Sequence, residues 1–231
     1  MPLVGFGTES QERDNMKGKL IVIEGSDGSG KATQTKLLAN RLRGEGYFIK
    51  KISFPDYESE GSALVKMYLR GEFGKKAQNV SPYAASLFYA VDRFASYKMK
   101  WMEDYELGCI FIADRYVASN FVHQGVKLNK DERKDFIKWL CDLEYEKLGL
   151  PKPDITCFLD MPPEISLSLV KERGREDIHE KDGEYLRKTY ETYKEIAEEY
   201  GWEKIDCAEG NLPRAVEDIG KEVYNKVKVL L

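Results

Sequence analysis

Residues Gly25–Thr33 read GSDGSGKAT, and this stretch decides the fold of the chain. The apolar run Leu20–Ile23 precedes it, and a helix-like segment follows it. Three glycines let backbone N–H groups crowd around a polyphosphate, while the first turn of the helix offers unpaired donors and a partial positive charge. Lys31 adds a mobile cation for the outer phosphates. The pattern therefore predicts a phosphate cradle; the competing interpretation is an ordinary tight turn rich in Gly and Ser.

The residue after Lys31 is Ala32, where a cradle of this type normally carries the Ser or Thr that binds magnesium. Thr33 is the nearest substitute, but one step along a helix turns a side chain by about 100°. We therefore expect Mg²⁺ to be held mostly by phosphate oxygens and water, which this ion readily tolerates, with no direct protein ligand. The alternative is that nucleotide hydrolysis or transfer has been lost.

The composition indicates a cytoplasmic protein with a sizeable core. Of its 231 residues, 42% are hydrophobic and 33% are charged. The net charge of −4 gives no general attraction to nucleic acid or to an anionic membrane, and no run approaches the length of a membrane span. The cysteines, Cys109, Cys141, Cys157 and Cys207, lie far apart among apolar neighbours, which is typical of reduced and mostly buried thiols.

Strands and helices alternate along the rest of the chain. Residues 1–18 lack the apolar core of a signal peptide and are interpreted as a flexible extension. Apolar runs predict strands at 20–23, 47–54, 109–113, 155–159 and 202–207, and periodic patterns and caps predict helices at 35 to 44 or 46, 62–69, 82–106, 130–148, 162–172, 182–196 and from 211 or 213 onward. We therefore predict one α/β domain over 19–231, with a doubly wound, five-stranded parallel sheet and helices on both faces.

In a sheet of this kind, the ligand binds beyond the carboxyl ends of the strands. That rule gathers Gly25–Lys31, Phe54-Pro55, Asp114-Arg115 and the residues after Leu159 at one edge of the sheet. The residues alone thus predict an enzyme that acts on nucleotide phosphates.

Four motifs carry a family resemblance. They are Asp27 within the cradle, FPDY at 54–57, FYAVDR at 88–93 and DRYVASNFVHQ at 114–124. On these motifs, the chain from about Lys19 to Leu231 resembles thymidylate kinases, which have the P-loop NTPase fold. The resemblance implies transfer of the γ-phosphoryl group of ATP to dTMP with Mg²⁺, giving ADP and the dTDP that supplies dTTP for DNA synthesis. It also implies a homodimer formed through long helices.

The resemblance assigns the thymine base to Tyr89, which would stack on the ring, and to Arg93, which would donate to its carbonyl edge. A flat apolar ring is well read by stacking, and an Arg donor prefers the O4 acceptor of thymine to the amino group of cytosine. Without the flanking motifs, core packing would be the better interpretation of Tyr89. Arg93 is harder to explain that way, because an arginine on an apolar helix face is costly unless it is paired.

The same resemblance assigns the sugar and phosphate of dTMP. Asp27 would accept from the 3′-hydroxyl, unless it caps the following turn. Arg115 would clamp the acceptor phosphate with help from Tyr57, unless it is a structural ion-pair partner of Asp114. The remaining predicted contacts are Phe54, Pro55, Leu69, Ser119, Asn120, His123 and Gln124, the last three forming the wall near the sugar. His123 lies where this family often has Tyr.

The donor side is assigned to the cradle and to a lid at about 171–182. The predicted ATP contacts are Gly25, Ser26, Gly28, Ser29, Gly30, Lys31, Ala32, Thr33 and Arg173. The basic lid segment would close over the transferring group with Arg175 as the catalytic arginine, or with Arg173 in that role, unless it is simply a solvated charged loop. Asp114 would act on Mg²⁺ through water, and the loop Cys207–Asn211 would flank adenine.

Three functions fit the sequence. The first is a dTMP kinase, with Lys31, Asp114 and a lid arginine as its catalytic residues. The second is a kinase of another nucleoside monophosphate, which a substrate panel separates from the first. The third is a nucleotide-binding regulator that has lost catalysis through Ala32.

Overall fold

Five parallel strands form the central sheet, as predicted. The computed structural model describes residues 17–171 and 183–231, so nearly all of the predicted extension and lid lies outside the described residues. In chain order the strands are β1 (Leu20–Glu24), β2 (Ile49–Ser53), β3 (Ile110–Asp114), β4 (Ile155–Asp160) and β5 (Glu203–Asp206). Their order across the sheet is β2-β3-β1-β4-β5, which leaves β2 and β5 outermost and confirms the doubly wound arrangement.

Helices connect the strands. In the described residues they are α1 (Lys31–Gly44), α2 (Ala63–Leu69), α3 (Pro82–Ser96), α4 (Met102–Glu106), α5 (Val117–His123), α6 (Lys130–Cys141), α7 (Pro163–Lys171), α8 (Gly183–Glu199) and α9 (Val216–Lys228). No helix in these ranges has both the length and the apolar composition that a membrane span requires.

The sheet separates two apolar cores because successive side chains of a strand point to opposite faces. Leu20 and Val22 of β1 pack in one core with side chains of α5, α6 and α8. Ile21 and Ile23 pack in the other with side chains of α1 and α9. Both faces of β1 are therefore covered by helices, and the cradle begins where this buried strand ends.

The strand register brings the predicted site residues to one edge. Ile23 of β1 and Ser53 of β2 both lie opposite Asp114 of β3. The chain leaves all three strands at this level, toward the cradle, toward Phe54-Pro55 and toward Arg115. These three segments therefore lie together at the carboxyl edge of the sheet, as predicted, which is the edge where sheets of this kind bind their ligands.

Several predicted helix limits need correction. The segment 82–106 contains a π-helical turn, Tyr97–Trp101, between α3 and α4, and a second π-helical turn, Asp142–Lys147, extends α6. Helix α1 begins at Lys31, earlier than predicted, because the left-handed Gly30 caps it. Helix α5 was not predicted as a helix.

The prediction that the last helix starts at Asn211 or Pro213 is wrong. Ala208–Glu209 (β6) pairs antiparallel with Leu212–Pro213 (β7), and α9 begins only at Val216. Gly210 lies at the tip of this hairpin with a φ of 60°. Asn and Pro are typical of turns as well as of helix starts, and here the turn is the outcome.

Candidate active site

The cradle runs from the end of β1 to the start of α1. Gly25 has a φ of 153°, and a Cβ atom there would lie 3.0 Å from the Leu159 carbonyl oxygen, so a larger residue would be both strained and crowded. The hydroxyls of Ser26 and Ser29 are buried and have no hydrogen-bond partner in the described part of the chain. Oxygens of a bound phosphate could accept from both, because buried hydroxyls normally have partners.

Lys31 folds back over the cradle. Its Nζ donates to the Ser26 carbonyl oxygen at 2.8 Å and lies 4.0 Å from Oδ1 of Asp27. Burial, together with the positive charge of Arg115, lowers the pKa of Lys31 to about 8, although nearby carboxylates oppose the shift. The charged form of this ammonium group is therefore less stable than in a free lysine. A bound polyphosphate would stabilise it by adding negative charge beside it.

Arg115 follows β3 directly and is held in an unusual backbone conformation. Its φ is 68°, which is rare for a residue other than glycine, and its N–H donates to the Ile23 carbonyl oxygen at 3.1 Å. Its Nη2 donates to Asp27, so the ion-pair partner is Asp27 and not Asp114. Burial would raise the pKa of Asp27, but the charges of Arg115 and Lys31 outweigh it and hold that pKa well below its usual range.

A cleft beside Arg115 gathers nearly all residues predicted to contact the acceptor. It is lined by Asp27, Phe54, Pro55, Tyr57, Leu69, Tyr89, Arg93, Arg115, Tyr116, Ser119, Asn120 and His123, of which Tyr116 was not predicted. Its volume is about 80 Å³, well below the roughly 300 Å³ at which small-molecule pockets begin. A nucleotide therefore needs side chains to move apart, and the contact between Arg115 and Asp27 is one that can open.

Gln124 does not line this cleft, contrary to its predicted place in the sugar wall. It is fully buried, and neither polar atom of its side-chain amide has a hydrogen-bond partner in the described residues. The amide nitrogen of Asn120, one turn earlier, is also buried without a described partner. Only Asn120 of the two reaches the cleft.

Arg93 forms a buried ion pair that the sequence did not identify. Its Nε and Nη2 donate to the two carboxylate oxygens of Glu144 at 2.6 and 2.5 Å, and both side chains are almost fully buried. Burial opposes charge on the guanidinium, but Glu144 outweighs it and raises the pKa of Arg93. The pair fixes the guanidinium at the cleft wall, so Arg93 has the partner that its apolar helix face required.

Glu24, Tyr193 and Tyr185 were also missed. Glu24 is the last residue of β1, is fully buried and accepts from the hydroxyls of Ser119 and Tyr193. Tyr193 and Tyr185 come from α8, and the hydroxyl of Tyr185 donates to the His123 carbonyl oxygen at 2.9 Å. The available signal for Glu24 was a charged residue directly after the apolar run Leu20–Ile23, whereas the two tyrosines fit an ordinary apolar stripe.

The residues present fit a magnesium ion that travels with phosphates. No group of three His, Cys, Asp or Glu side chains in the described ranges is arranged to hold a metal alone. Asp114 lies at the cradle edge of β3 and acts electrostatically on Lys31, while Ala32 and Thr33 are exposed in the first turn of α1. Since Mg²⁺ usually keeps several waters and takes few protein ligands, one carboxylate beside the phosphates suits it.

The other predicted donor contacts are less well described. Arg173 and Arg175 lie outside the described residues. The loop predicted to flank adenine forms the β6–β7 hairpin.

A larger cavity lies elsewhere on the molecule. It has a volume of about 930 Å³ and opens between Ile155, at the start of β4, and Trp202, before β5. Size alone would favour it as a ligand site. It lies at the amino ends of these strands and contains no cradle residue, so the chemistry favours the cleft at Arg115.

Comparisons of sequence and of fold both find similarity to thymidylate kinases. A sequence profile described as thymidylate kinase matches residues 23–219. The thymidylate kinase of Plasmodium falciparum is 30% identical over 215 residues, which cover 93% of this chain and 91% of that protein. The thymidylate kinase of Mycobacterium tuberculosis strain H37Rv is 32% identical over 194 residues, covering 79% and 87%. The solved thymidylate kinase of Candida albicans has the same fold, with a TM-score of 0.69 at 24% identity over 93% of this chain and 92% of that one.

Proposed function

The chain belongs to the thymidylate kinase family, and from this premise we propose that it transfers the γ-phosphoryl group of ATP to dTMP, giving dTDP and ADP. One observation carries the proposal: Asp27 lies between the cation of the cradle, Lys31, and the cation of the cleft, Arg115. A donor phosphate on Lys31 and an acceptor phosphate on Arg115 would then lie side by side. Phosphoryl transfer needs that positioning and charge neutralisation more than it needs covalent chemistry.

Each cation would exchange Asp27 for a phosphate when both substrates bind. Lys31 would move from Ser26 and Asp27 to the outer phosphates of ATP. Arg115 would turn one edge of its guanidinium to the phosphate of dTMP, which accepts two parallel hydrogen bonds. Asp27 would then accept from the 3′-hydroxyl of the sugar, so its charge stays satisfied within the complex.

Asp114 would help to hold magnesium through water beside the phosphates, and the ion would supply charge neutralisation at the transferring group. Arg175 or Arg173 of the lid would add the remaining positive charge. A closing lid would also exclude water, which protects ATP from simple hydrolysis.

Base selection would come from α3. Tyr89 would stack on thymine while Arg93, already fixed by Glu144, donates to the O4 atom. Cytosine presents an amino group at that place, which leaves the buried guanidinium facing a donor. Asn120 and His123 would form the wall near the sugar, where crowding disfavours a 2′-hydroxyl.

The test is an assay of the purified chain with ATP, Mg²⁺ and a panel of dTMP, dUMP, dCMP and AMP. We expect ADP formation with dTMP and little with dCMP or AMP. Preference for another acceptor would support the alternative monophosphate kinase. A chain that binds ATP but transfers nothing would support the regulator, and recovery of transfer in Ala32→Thr would then identify the missing hydroxyl as the cause.

The activity should depend on the protonation of Lys31 in the free protein. Because its pKa is lowered to about 8, the cation is present below that pH and is lost above it. We expect kcat/KM for ATP to fall as pH rises through about 8. The corresponding fall in kcat, the alkaline limb of its pH profile, should lie at higher pH, because bound phosphates keep the Lys31 ammonium charged.

Two variants identify the group responsible. Lys31→Arg should remove the limb, since arginine stays charged throughout. Lys127→Met should leave it unchanged, although burial also lowers the pKa of Lys127 to about 8, because its ammonium contacts Tyr68 and Val80 and lies outside the cleft lining. A limb that persists in Lys31→Arg, or disappears in Lys127→Met, would contradict the assignment.

The proposal includes a homodimer through α3. Leu87 and Val91 are 44% and 50% exposed and lie four residues apart, on one face of that helix. An exposed apolar face of this kind suits a second copy of the chain, packed about a twofold axis. The acceptor residues Tyr89 and Arg93 belong to the same helix.

Light scattering tests the dimer. The wild type should have twice the 26.6 kDa mass of the chain, and the double variant Leu87→Glu/Val91→Glu should have the mass of one chain. Leu107→Glu is the matched control, since Leu107 is 85% exposed and lies just after α4. A monomeric wild type, or a double variant that stays dimeric, would refute this interface.

A further inference from the structure

Two hydroxyl groups connect Arg115 to a carboxylate outside the cleft lining. Glu24 is fully buried and contributes nothing to the wall of the cleft. Its Oε2 accepts from the Ser119 hydroxyl at 2.7 Å and from the Tyr193 hydroxyl at 3.1 Å. Each of these hydroxyl oxygens also lies 3.2 Å from Nη1 of Arg115. Glu24 therefore acts on Arg115 through two neutral groups.

Burial raises the pKa of Glu24, but the charges of Arg115 and Lys31 favour its ionised form, and in that form the chemistry of the donors fixes the direction of these bonds. An ionised carboxylate only accepts, a guanidinium only donates, and a hydroxyl has one hydrogen to give. Because Glu24 takes the hydrogens of Ser119 and Tyr193, both oxygens turn lone pairs toward Arg115. Nε2 of His123 lies 3.2 Å from the same Nη1 and accepts from it in the tautomer that carries the ring proton on Nδ1, so that three acceptors share the two hydrogens of Nη1.

These contacts hold one end of the guanidinium and leave the other exchangeable. Nη1 is surrounded by acceptors from α5 and α8. Nη2 instead donates to Asp27. In arginine, Nε and Nη2 share the edge that binds a phosphate through two parallel bonds. That edge can leave Asp27 for a phosphate while Nη1 stays in place.

Glu24 also supports the backbone of Arg115. Its Oε1 accepts from the Tyr116 N–H at 2.9 Å, while the Arg115 N–H donates to Ile23 at 3.1 Å. Two successive amides are thus attached to the end of β1. This attachment helps to maintain the left-handed φ of Arg115, which costs free energy in a residue with a side chain.

We propose that Glu24 and Tyr193 are positioning residues for the acceptor phosphate, which fix Nη1 of Arg115 so that its Nε–Nη2 edge faces that phosphate. This inference rests on the proposed function, because it takes dTMP as the acceptor. It adds a buried carboxylate and a tyrosine of α8, neither of which lines the cleft, to the groups on which that acceptor depends.

Calorimetry with dTMP and with thymidine tests the proposal, because thymidine lacks the phosphate that Arg115 would hold. In Tyr193→Phe we expect dTMP to bind roughly 10-fold more weakly, and thymidine to bind within about twofold of wild type. Tyr200→Phe removes the same atom just beyond α8 and should change neither affinity. Equal weakening of both ligands in Tyr193→Phe would indicate a general structural role and would overturn the proposal.

Two further variants examine the connection from Glu24 to Arg115. Glu24→Gln should weaken dTMP binding by roughly 10- to 30-fold and spare thymidine, because an amide nitrogen cannot accept the hydroxyl hydrogens. In an Arg115→Met background, Tyr193→Phe should add less than about twofold, since the two residues act as one unit. A full, additive effect of Tyr193→Phe in that background would overturn the proposal.

The binding measurements separate this proposal from the proposed function. If the wild type binds dTMP and the variants weaken dTMP binding while sparing thymidine, but the wild type never phosphorylates dTMP, the kinase assignment fails and the positioning role stands. If the wild type is active while Tyr193→Phe binds dTMP normally, the positioning role fails and the kinase assignment stands. A wild type that binds no dTMP would refute both.

Discussion

Arg115→Met is expected to lower kcat/KM for dTMP by roughly 10³-fold, the loss typical for a preorganised charged donor at a reacting group. The guanidinium is the only cation in the described lining of the cleft besides Arg93, which Glu144 already engages. Its removal also leaves the Asp27 carboxylate without its main partner. Arg115→Lys should recover only part of the loss, because a point charge cannot reproduce two parallel hydrogen bonds.

Steady-state kinetics with dTMP varied at saturating ATP measures this effect. Arg41→Met is the control: it removes an equally large cation from the opposite face of the sheet, where Arg41 stacks on Tyr224 of α9. We expect less than about a twofold change in the kinetics of that variant. A loss smaller than tenfold in Arg115→Met would remove Arg115 from the role of phosphate clamp.

Glu144→Ala is expected to reduce the free energy of unfolding by about 3–5 kcal/mol, because it leaves the buried charge of Arg93 without its partner. Both side chains are almost fully buried, so solvent cannot replace the lost carboxylate. Urea denaturation followed by circular dichroism measures the change. Glu146→Ala is the matched control two residues further on; its bridge to Lys152 is exposed, and its loss should cost less than about 1 kcal/mol.

A double variant separates stability from recognition. Arg93→Met/Glu144→Leu replaces the buried pair by apolar groups and should recover most of the lost stability. If Arg93 donates a hydrogen bond to the O4 atom of thymine, the double variant should discriminate poorly between dTMP and dCMP even though its stability is recovered. A stable double variant with unchanged preference for dTMP would mean that the pair is purely structural.

The sequence predicts which edge of the sheet gathers the candidate site residues, because strand periodicity and the carboxyl-end rule are strong constraints. Apolar runs place β1 and β3, and the segments that leave these two strands must then emerge at the same level. The cradle, Phe54-Pro55 and Arg115 meet there as expected. Limits of helices depend on weaker signals, which is why the Asn-Leu-Pro segment before α9 was misread.

Side-chain partners are harder to predict because they join distant parts of the chain. Arg93 lies on an apolar helix face and so requires a partner, but that requirement does not say which acid supplies it. Glu144 continues the apolar stripe of Phe136 and Leu140 at intervals of four residues, and the same rule applied there would have indicated the pair. Tyr193 gave no such signal, since its ring packs in the core and only its hydroxyl reaches Glu24.

The two edge strands of the sheet affect how readily the protein aggregates at high concentration. A strand with unpaired backbone groups is a template on which another molecule can add its own strand and start an aggregate. The outermost strands, β2 and β5, are short and carry Lys50 and Lys51 on one side and Lys204 on the other. A strand approaching either border would have to desolvate these charged side chains and disturb the ion pairs of Lys50 and Lys204, so we expect the lysines to disfavour strand addition at both edges.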